Sequence, residues 1–251
     1  MTKISVAIIT FNEEKNIERC IRSVQEVADE IVVVDSFSKD KTEEICKSLG
    51  VKFIQNPFAG HIQQKNYAID QCSGDYVLSL DADEALSEEL KNSILNFKKS
   101  GLSSESYKFN RLSNYCGHWV RHCGWYPDTK VRLIRKGTAQ WGGINPHDEL
   151  QPAKPEKTIH LKGDLLHYTI NTREEHYKQV EYFTTIAANE AFKKGKKSNW
   201  IKIIVKCAFK FFRDYIIKLG LLDGKTGFTI SRISAYATYR KYYKLLQLQR
   251  G

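Results

Sequence analysis

Acidic residues nearly vanish from the last quarter of this chain. Residues 193–251 hold 15 Lys and Arg against 2 Asp, a net of +13, so the first 192 residues contribute −3 to the formal total of +10. A basic segment of this kind attracts phosphates, whether of nucleic acid or of anionic lipid. Long apolar runs are also missing. No stretch reaches the roughly 20 apolar residues that a spanning helix needs, which excludes a membrane-crossing segment. The apolar run at 6–9 is too short for a secretory leader, and the six cysteines include no CxxC, so they are expected as reduced thiols in the cytosol. No GxGxxG follows the first apolar run and no GxxxxGK[ST] occurs anywhere, which argues against a dinucleotide enzyme or a Walker-type ATPase. What is present is ordinary for a globular chain of 251 residues: 41% apolar and 12% aromatic, ample for a core.

The stretch around which the chain is organised is 75–84, Asp-Tyr-Val-Leu-Ser-Leu-Asp-Ala-Asp-Glu. A strand-forming apolar run ends abruptly in three carboxylates. In an open α/β sheet the ligand crevice lies beyond the carboxyl ends of the strands, so Asp81 and Asp83 are expected there. Two carboxylates one residue apart on an extended segment share a side and repel unless a cation lies between them. Hard oxygen ligands suit Mg²⁺ or Mn²⁺, which complete their shells with water and substrate phosphates. The alternative is a solvated acidic turn ahead of a helix, where Asp83 and Glu84 would favour the dipole.

Taken in order, 4–10 reads as a buried strand, followed by Asn12 as a helix cap and a helix with Ile17, Cys20, Ile21 and Val24 on one face. A second strand, 30–35, also ends in an acid, and its Asp35 suits either a nucleoside ligand or a turn carboxylate. A helix closed by Gly50, a strand at 51–54 and a helix around 63–69 carrying Lys65 lead to the acidic strand. Strands alternating with helices through short connections predict an α/β fold with a doubly wound, mostly parallel sheet and helices on both faces.

Four motifs in this order carry a resemblance: Thr10-Phe11-Asn12-Glu13-Glu14; Val34-Asp35-Ser36 with Ser38-Lys39-Asp40-Lys41-Thr42; Gln64-Lys65-Asn66; and Leu80-Asp81-Ala82-Asp83-Glu84. Together they resemble the motif set of family 2 glycosyltransferases with a GT-A fold. The resemblance implies that Thr10, Glu14 and Asp35 hold the nucleoside of a donor, that Lys65 approaches its phosphates, and that Asp81 and Asp83 form the DXD metal site, with Asp81 also facing the donor. It implies a nucleotide-sugar donor, uridine-linked by expectation, and an inverting transfer.

The middle segment changes character. Residues 107–112 and 130–135 alternate as strands do, around an aromatic loop that ends in Gly124-Trp125-Tyr126-Pro127-Asp128. Cys116, His118, His122 and Cys123 are residue types that zinc accepts, but their spacing fits a packed loop better. The turn-rich run Asn145-Pro146-His147-Asp148-Glu149 offers a base for an acceptor hydroxyl, or an ordinary surface turn. It resembles the His-Glu element of the lipopolysaccharide-core branch of the family, which implies Asp148 or Glu149 as the base, with Asp148 in register. The same branch implies that His167, on a strand near 165–168, helps to hold metal or diphosphate.

Residues 171–192 and 200–219 are predicted helices. In the second, Lys202, Lys206, Lys210 and Arg213 recur at helical spacing among aromatic and aliphatic residues, which suits either an anionic membrane surface or a packed helix with a solvated face. The expected organisation is a nucleotide-sugar half over 1–100, an acceptor half over 101–170 and a basic helical extension over 171–251. The expected activity is sugar transfer to a glycan or glycolipid acceptor such as lipopolysaccharide core, from a cytoplasmic protein held peripherally at the inner face of the cytoplasmic membrane. The rivals are a metal-dependent nucleotidyltransferase, which lacks its usual glycine-rich phosphate loop here, and a nucleic-acid-binding protein acting through the basic tail. No nucleic-acid partner is expected.

Overall fold

The computed structural model describes residues 2–101, 103–144 and 147–250, apart from the side chains of Ile144 and His147. Asn145 and Pro146, and with them part of the predicted base segment, lie outside the described residues. The chain forms two compact units, 1–111 with 128–168, and 112–127 with 169–251.

In the first unit the strands are β1 (Ile4–Thr10), β2 (Glu30–Asp35), β3 (Lys52–Gln55), β4 (Tyr76–Asp81) and β5 (Glu84–Leu86), with α1 (Ile17–Val24), α2 (Thr42–Ser48), α3 (His61–Asp70) and α4 (Glu88–Ser100) between and after them. Next along the chain come β6 (Ser106–Tyr115), the short β7 (His118–Trp119), which belongs to the second unit, β8 (Asp128–Arg135), the hairpin β9 (Ala139–Ile144) and β10 (His147–Pro152), and β11 (Ile159–Ile170). The sheet order is β3-β2-β1-β4-β8-β6-β11-β5. Its first four strands are parallel, with Ile9 level with Val34 on one side and Asp81 on the other. That register brings the ends of β1, β2 and β4 to one edge, because each connection returns the chain through a helix. Beyond β4 the strands run antiparallel, starting with β8.

Alternation along the buried strands splits the core in two. Ile4, Val6 and Ile8 pack with Ile17, Ile21 and Val24 of α1 and with Leu90 and Ile94 of α4. Ala7, Val32 and Val34 pack instead with Ala68 and Ile69 of α3 and with Trp141 and Leu150 of the hairpin. Helices on one face and a helix plus hairpin on the other give the α/β layering expected. Ser87 caps α4 by accepting from Leu90 N at 3.2 Å, and its hydroxyl also accepts from Asp164 N at 3.0 Å. Next to that contact a Cβ on Gly163 (φ +96°) would lie 2.2 Å from Leu90 N. Glycine is therefore needed for β11 to pass the start of α4.

The second unit is built on α5 (Arg173–Lys193), α6 (Trp200–Phe212) and α7 (Gly224–Leu248). A capping box of Thr172 and Glu175 starts α5. Tyr115, Val120, Cys123, Ile170 and Ile230 form its small core. The loop with zinc-type ligands does not converge. Cys116 is exposed, the Cys123 thiol packs near Gly227 O and Ser231 Oγ, and His118 and His122 both turn to Asp223, at 3.6 and 3.0 Å. No helix among the described residues is long and apolar enough to cross a membrane.

Glu181 of α5 pairs with Arg240 Nε at 2.6 Å and Lys244 Nζ at 3.0 Å of α7. Arg240 foremost, with Lys244, pulls its carboxyl down to about 2 from an ordinary 4.5. A depressed carboxylate stabilises the fold above its unfolded value and loses that contribution as pH falls through the folded one. Glu181 is 42% exposed, so solvent screens the pair and Glu181→Gln is expected to cost less than about 1 kcal/mol at pH 7. The difference in thermal midpoint from wild type should shrink steadily as pH falls below 4.5.

Candidate active site

Asp81 is the last residue of β4, and the chain turns at Ala82 and Asp83 before Glu84 enters β5. Glu84 is fully buried and holds this turn from beneath, accepting from Asp81 N at 3.0 Å and from Arg132 Nη2 at 2.9 Å. Arg132 of β8 is buried too and reaches Asp81 Oδ2 at 3.5 Å. Lys65, with its side chain 6% exposed, lies between Asp81 at 3.1 Å and Asp148 of β10 at 2.8 Å. The Trp141 ring lies 4.1 Å from Lys65 Nζ and 4.9 Å from Arg132 Cζ, an aromatic face against both cations. Burial alone would raise the Asp81 carboxyl, but Lys65 and Arg132 outweigh it and hold the group well below the usual carboxylate range.

The three residues Gln64-Lys65-Asn66 each fasten a different part of this arrangement. Gln64 donates to Ser36 Oγ at 3.1 Å and accepts from Asn56 Nδ2 at 2.7 Å, tying the loops after β2 and β3. Lys65 joins the two acids. Asn66 accepts from Trp141 N at 2.9 Å and donates to Trp141 O at 3.0 Å, which docks the hairpin on α3. Lys65→Met would leave Asp81 and Asp148 without their shared cation, and the expected cost is about 2 kcal/mol, since both keep some contact with solvent. Chemical denaturation of the variant against wild type measures it.

Thr10, Lys65, Asp81, Asp83, Asp148, Glu149 and His167 line one cavity of about 850 Å³. Asp148 and Glu149 are successive on β10; the Asp148 side chain is 9% exposed and paired to Lys65, whereas Glu149 is exposed. Asp83 Oδ2 lies 3.2 Å from His167 Nε2, and Asp83 O accepts from Tyr168 N at 2.9 Å. Thr10 lines the cavity, and its buried hydroxyl has no hydrogen-bond partner among the described residues. Two other predicted donor residues do not line the cavity. Asp35 is fully buried and accepts from Ser38 N at 2.9 Å and Ser38 Oγ at 2.5 Å. Glu14 accepts from Lys41 N at 3.2 Å. Both brace the 36–42 loop.

The sequence reading missed Arg111, Lys130 and Arg132, which all line the cavity, and also Glu13, Phe58 and His61. Lys130 and Arg132 sit two apart on β8 and so share a face, a spacing visible in the sequence but common on solvated strands. Arg111 donates from Nε and Nη2 to Asp128 Oδ2, at 3.0 and 2.8 Å. Burial pushes the Glu13 carboxyl up, with Asn16 opposing and Asp83, Asp40 and Asp81 adding to the rise.

Among the described residues no three His, Cys, Asp or Glu side chains converge as a metal cage. The donor set nevertheless fits a divalent ion shared with a ligand. Asp83 and His167 are adjacent and partly exposed to the cavity. Mg²⁺ and Mn²⁺ bind through one or two protein groups plus phosphate and water.

The model of glycosyl transferase family 2 matches residues 5–149, more than half of the chain. The chain belongs to glycosyl transferase family 2. An uncharacterized glycosyltransferase of Rickettsia typhi is 33% identical over 99% of this chain and 88% of its own length. The lipopolysaccharide core biosynthesis glycosyltransferase LpsC of Rhizobium meliloti is 26% identical over 95% of this chain and 93% of its own. Among solved structures, glucosyl-3-phosphoglycerate synthase of Mycobacterium tuberculosis, in complex with Mn²⁺, UDP and glucosyl-3-phosphoglycerate, aligns over 79% of this chain and 82% of its own, with 16% identity and a TM-score of 0.49. This family 2 chain is thus a glycosyltransferase. The nucleotidyltransferase and nucleic-acid-binding alternatives give way to it.

Proposed function

We propose that this enzyme moves a sugar from a UDP-sugar to a hydroxyl of a lipid-linked glycan of the lipopolysaccharide-core type, with inversion at the anomeric carbon. The observation that carries the reading is the Lys65 bridge. It joins the acid that ends the donor-side strand β4 to the acid on the hairpin, at 3.1 and 2.8 Å, inside one cavity. A transferase needs donor and acceptor groups within reach of one another, and this contact supports assigning one acid to each side. The likeness to LpsC over nearly the whole chain supports a core-glycan acceptor.

In this reading the Thr10 hydroxyl and the aromatic faces of Phe11 and Phe58, both half-exposed, receive the nucleoside. Asp35 and Glu14 act on it through the loop they brace. Asp83 and His167 hold a divalent ion. When bound, that ion supplies positive charge for the leaving diphosphate. Lys65 and Arg132 add fixed cations on the same side, already oriented by Trp141 and Glu84. Asp148 takes the proton of the acceptor hydroxyl, with Glu149 as the other candidate. The acceptor oxygen then bonds to the anomeric carbon as the carbon–oxygen bond to the diphosphate breaks, and UDP departs with the electron pair. Attack opposite the leaving group inverts the centre.

The test is a UDP-release assay with a panel of UDP-, GDP- and CMP-sugars, Mn²⁺, and lipid-linked core oligosaccharides truncated at successive sugars. Acceptor-dependent release from one UDP-sugar, with the product inverted by NMR, is expected. Release from only a GDP- or CMP-sugar would overturn the donor, and a retained configuration would overturn the mechanism.

A further inference from the structure

Helix α6 faces the wrong way for a helix that serves only to pack. Its single buried residue is Ile203. Ile201, Ile204, Val205, Ala208, Phe209 and Phe212 are all exposed, with Ile201 at 76%, Ile204 at 64% and Phe209 at 55%. At 100° per residue these six fall within an arc of about 140°, one continuous apolar stripe. A surface helix normally turns such a stripe inward. Here the side that packs carries other residues: Phe211 meets Phe228 of α7 edge-on at 5.7 Å, and Trp200 meets Tyr243 at 5.8 Å. Exposed Leu221 and Leu222 follow the helix in the chain. An apolar surface of this extent marks an interaction site.

Charge selects the partner. Lys202 and Lys206 border the stripe along one edge, as helical spacing requires. The only two acids in 193–251 are withdrawn. Asp214 is 2% exposed at its side chain and held by Lys210 and Arg213, and Asp223 is buried against His122. The segment therefore shows cations alone to solvent. A second copy docked by the same face would set +13 against +13, which disfavours a symmetric dimer. A surface that is apolar at its centre, cationic at its border and free of acids complements an anionic lipid leaflet, with the stripe at the acyl boundary and lysines at headgroups.

We infer that α6 lies in the plane of an anionic membrane surface, inserting Ile201, Ile204, Val205, Phe209 and Phe212, with Lys202 and Lys206 at the headgroups. The helix anchors without crossing, in keeping with its 13 residues. This inference does not depend on the transfer reading, and its readout is binding, not activity.

The test uses the full chain and flotation with phosphatidylcholine vesicles, with and without phosphatidylglycerol. Wild type is expected to float with the anionic vesicles and to do so less as salt rises. Ile204→Ser with Phe209→Ser should weaken binding about tenfold or more. Lys206→Gln should weaken it about fivefold. These side chains are exposed, so circular dichroism and thermal midpoint should match wild type, and Ile201→Ser repeats the test at the most exposed position. Wild type that fails to float, or serine variants that float as well as wild type, would overturn the inference. So would a dimer in solution that the serine variants dissociate, since the face would then belong to a second copy.

Discussion

Asp83→Ala is expected to lower kcat/KM about a thousandfold or more, equivalent to about 4 kcal/mol of transition-state stabilisation. The carboxylate is a quarter exposed, faces the cavity and pairs with His167 at 3.2 Å. The turn itself is held by Glu84 and by the Tyr168 N to Asp83 O bond, which alanine retains. The thermal midpoint should therefore stay within a few degrees of wild type. In the proposed reading Asp83 and His167 hold the ion, so raising Mn²⁺ should recover only part of the loss, because more metal restores occupancy but not the lost ligand's positioning of the ion. Full activity in this variant would remove Asp83 from the donor machinery.

Much of the first unit could be read from its sequence, because buried parallel strands are continuous apolar runs and α1 presents Ile17, Cys20, Ile21 and Val24 at unmistakable helical spacing. The edge of the sheet was legible for the same reason: apolar runs that stop at Thr10, Asp35 and Asp81 announce where the strands end. Arg132 was not legible. A lone arginine in an alternating strand has the same pattern whether it faces water or, as here, a buried glutamate three strands away in sequence. Asp35 and Glu14 carry side chains suited to a ligand, and nothing in the sequence signals that Asp35 also accepts from Ser38 and Glu14 from Lys41 N, because those bonds depend on how the 36–42 loop folds back. The orientation of α6 was hidden for a further reason. An amphipathic pattern gives the width of the apolar stripe but not whether it faces the protein.

The second large effect is expected at the base. Asp148→Asn should reduce kcat about 10²- to 10⁴-fold with little change in the donor KM, as removal of a general base does. Glu149→Gln should reduce it less than about tenfold. Asp148 and Glu149 are successive residues of β10, which alternate in direction, and Asp148 alone is fixed by Lys65 at 2.8 Å. A carboxylate held in one orientation at the cavity wall is placed to accept a proton, and asparagine keeps its shape without that capacity. Rapid-quench measurement of a single turnover separates this chemical step from product release. If Glu149→Gln shows the large loss and Asp148→Asn does not, the base is Glu149 and the Lys65 pair serves only to dock the hairpin.

The most direct measurement of the central claim is calorimetric titration of the full chain with UDP and with GDP, each with and without Mn²⁺, for wild type and Asp83→Ala. The account predicts that UDP binds wild type at least about tenfold more tightly than GDP, that Mn²⁺ strengthens this binding, and that the Mn²⁺ effect disappears in Asp83→Ala. Equal binding of the two nucleotides, or UDP binding indifferent to Mn²⁺ and to Asp83, would contradict it.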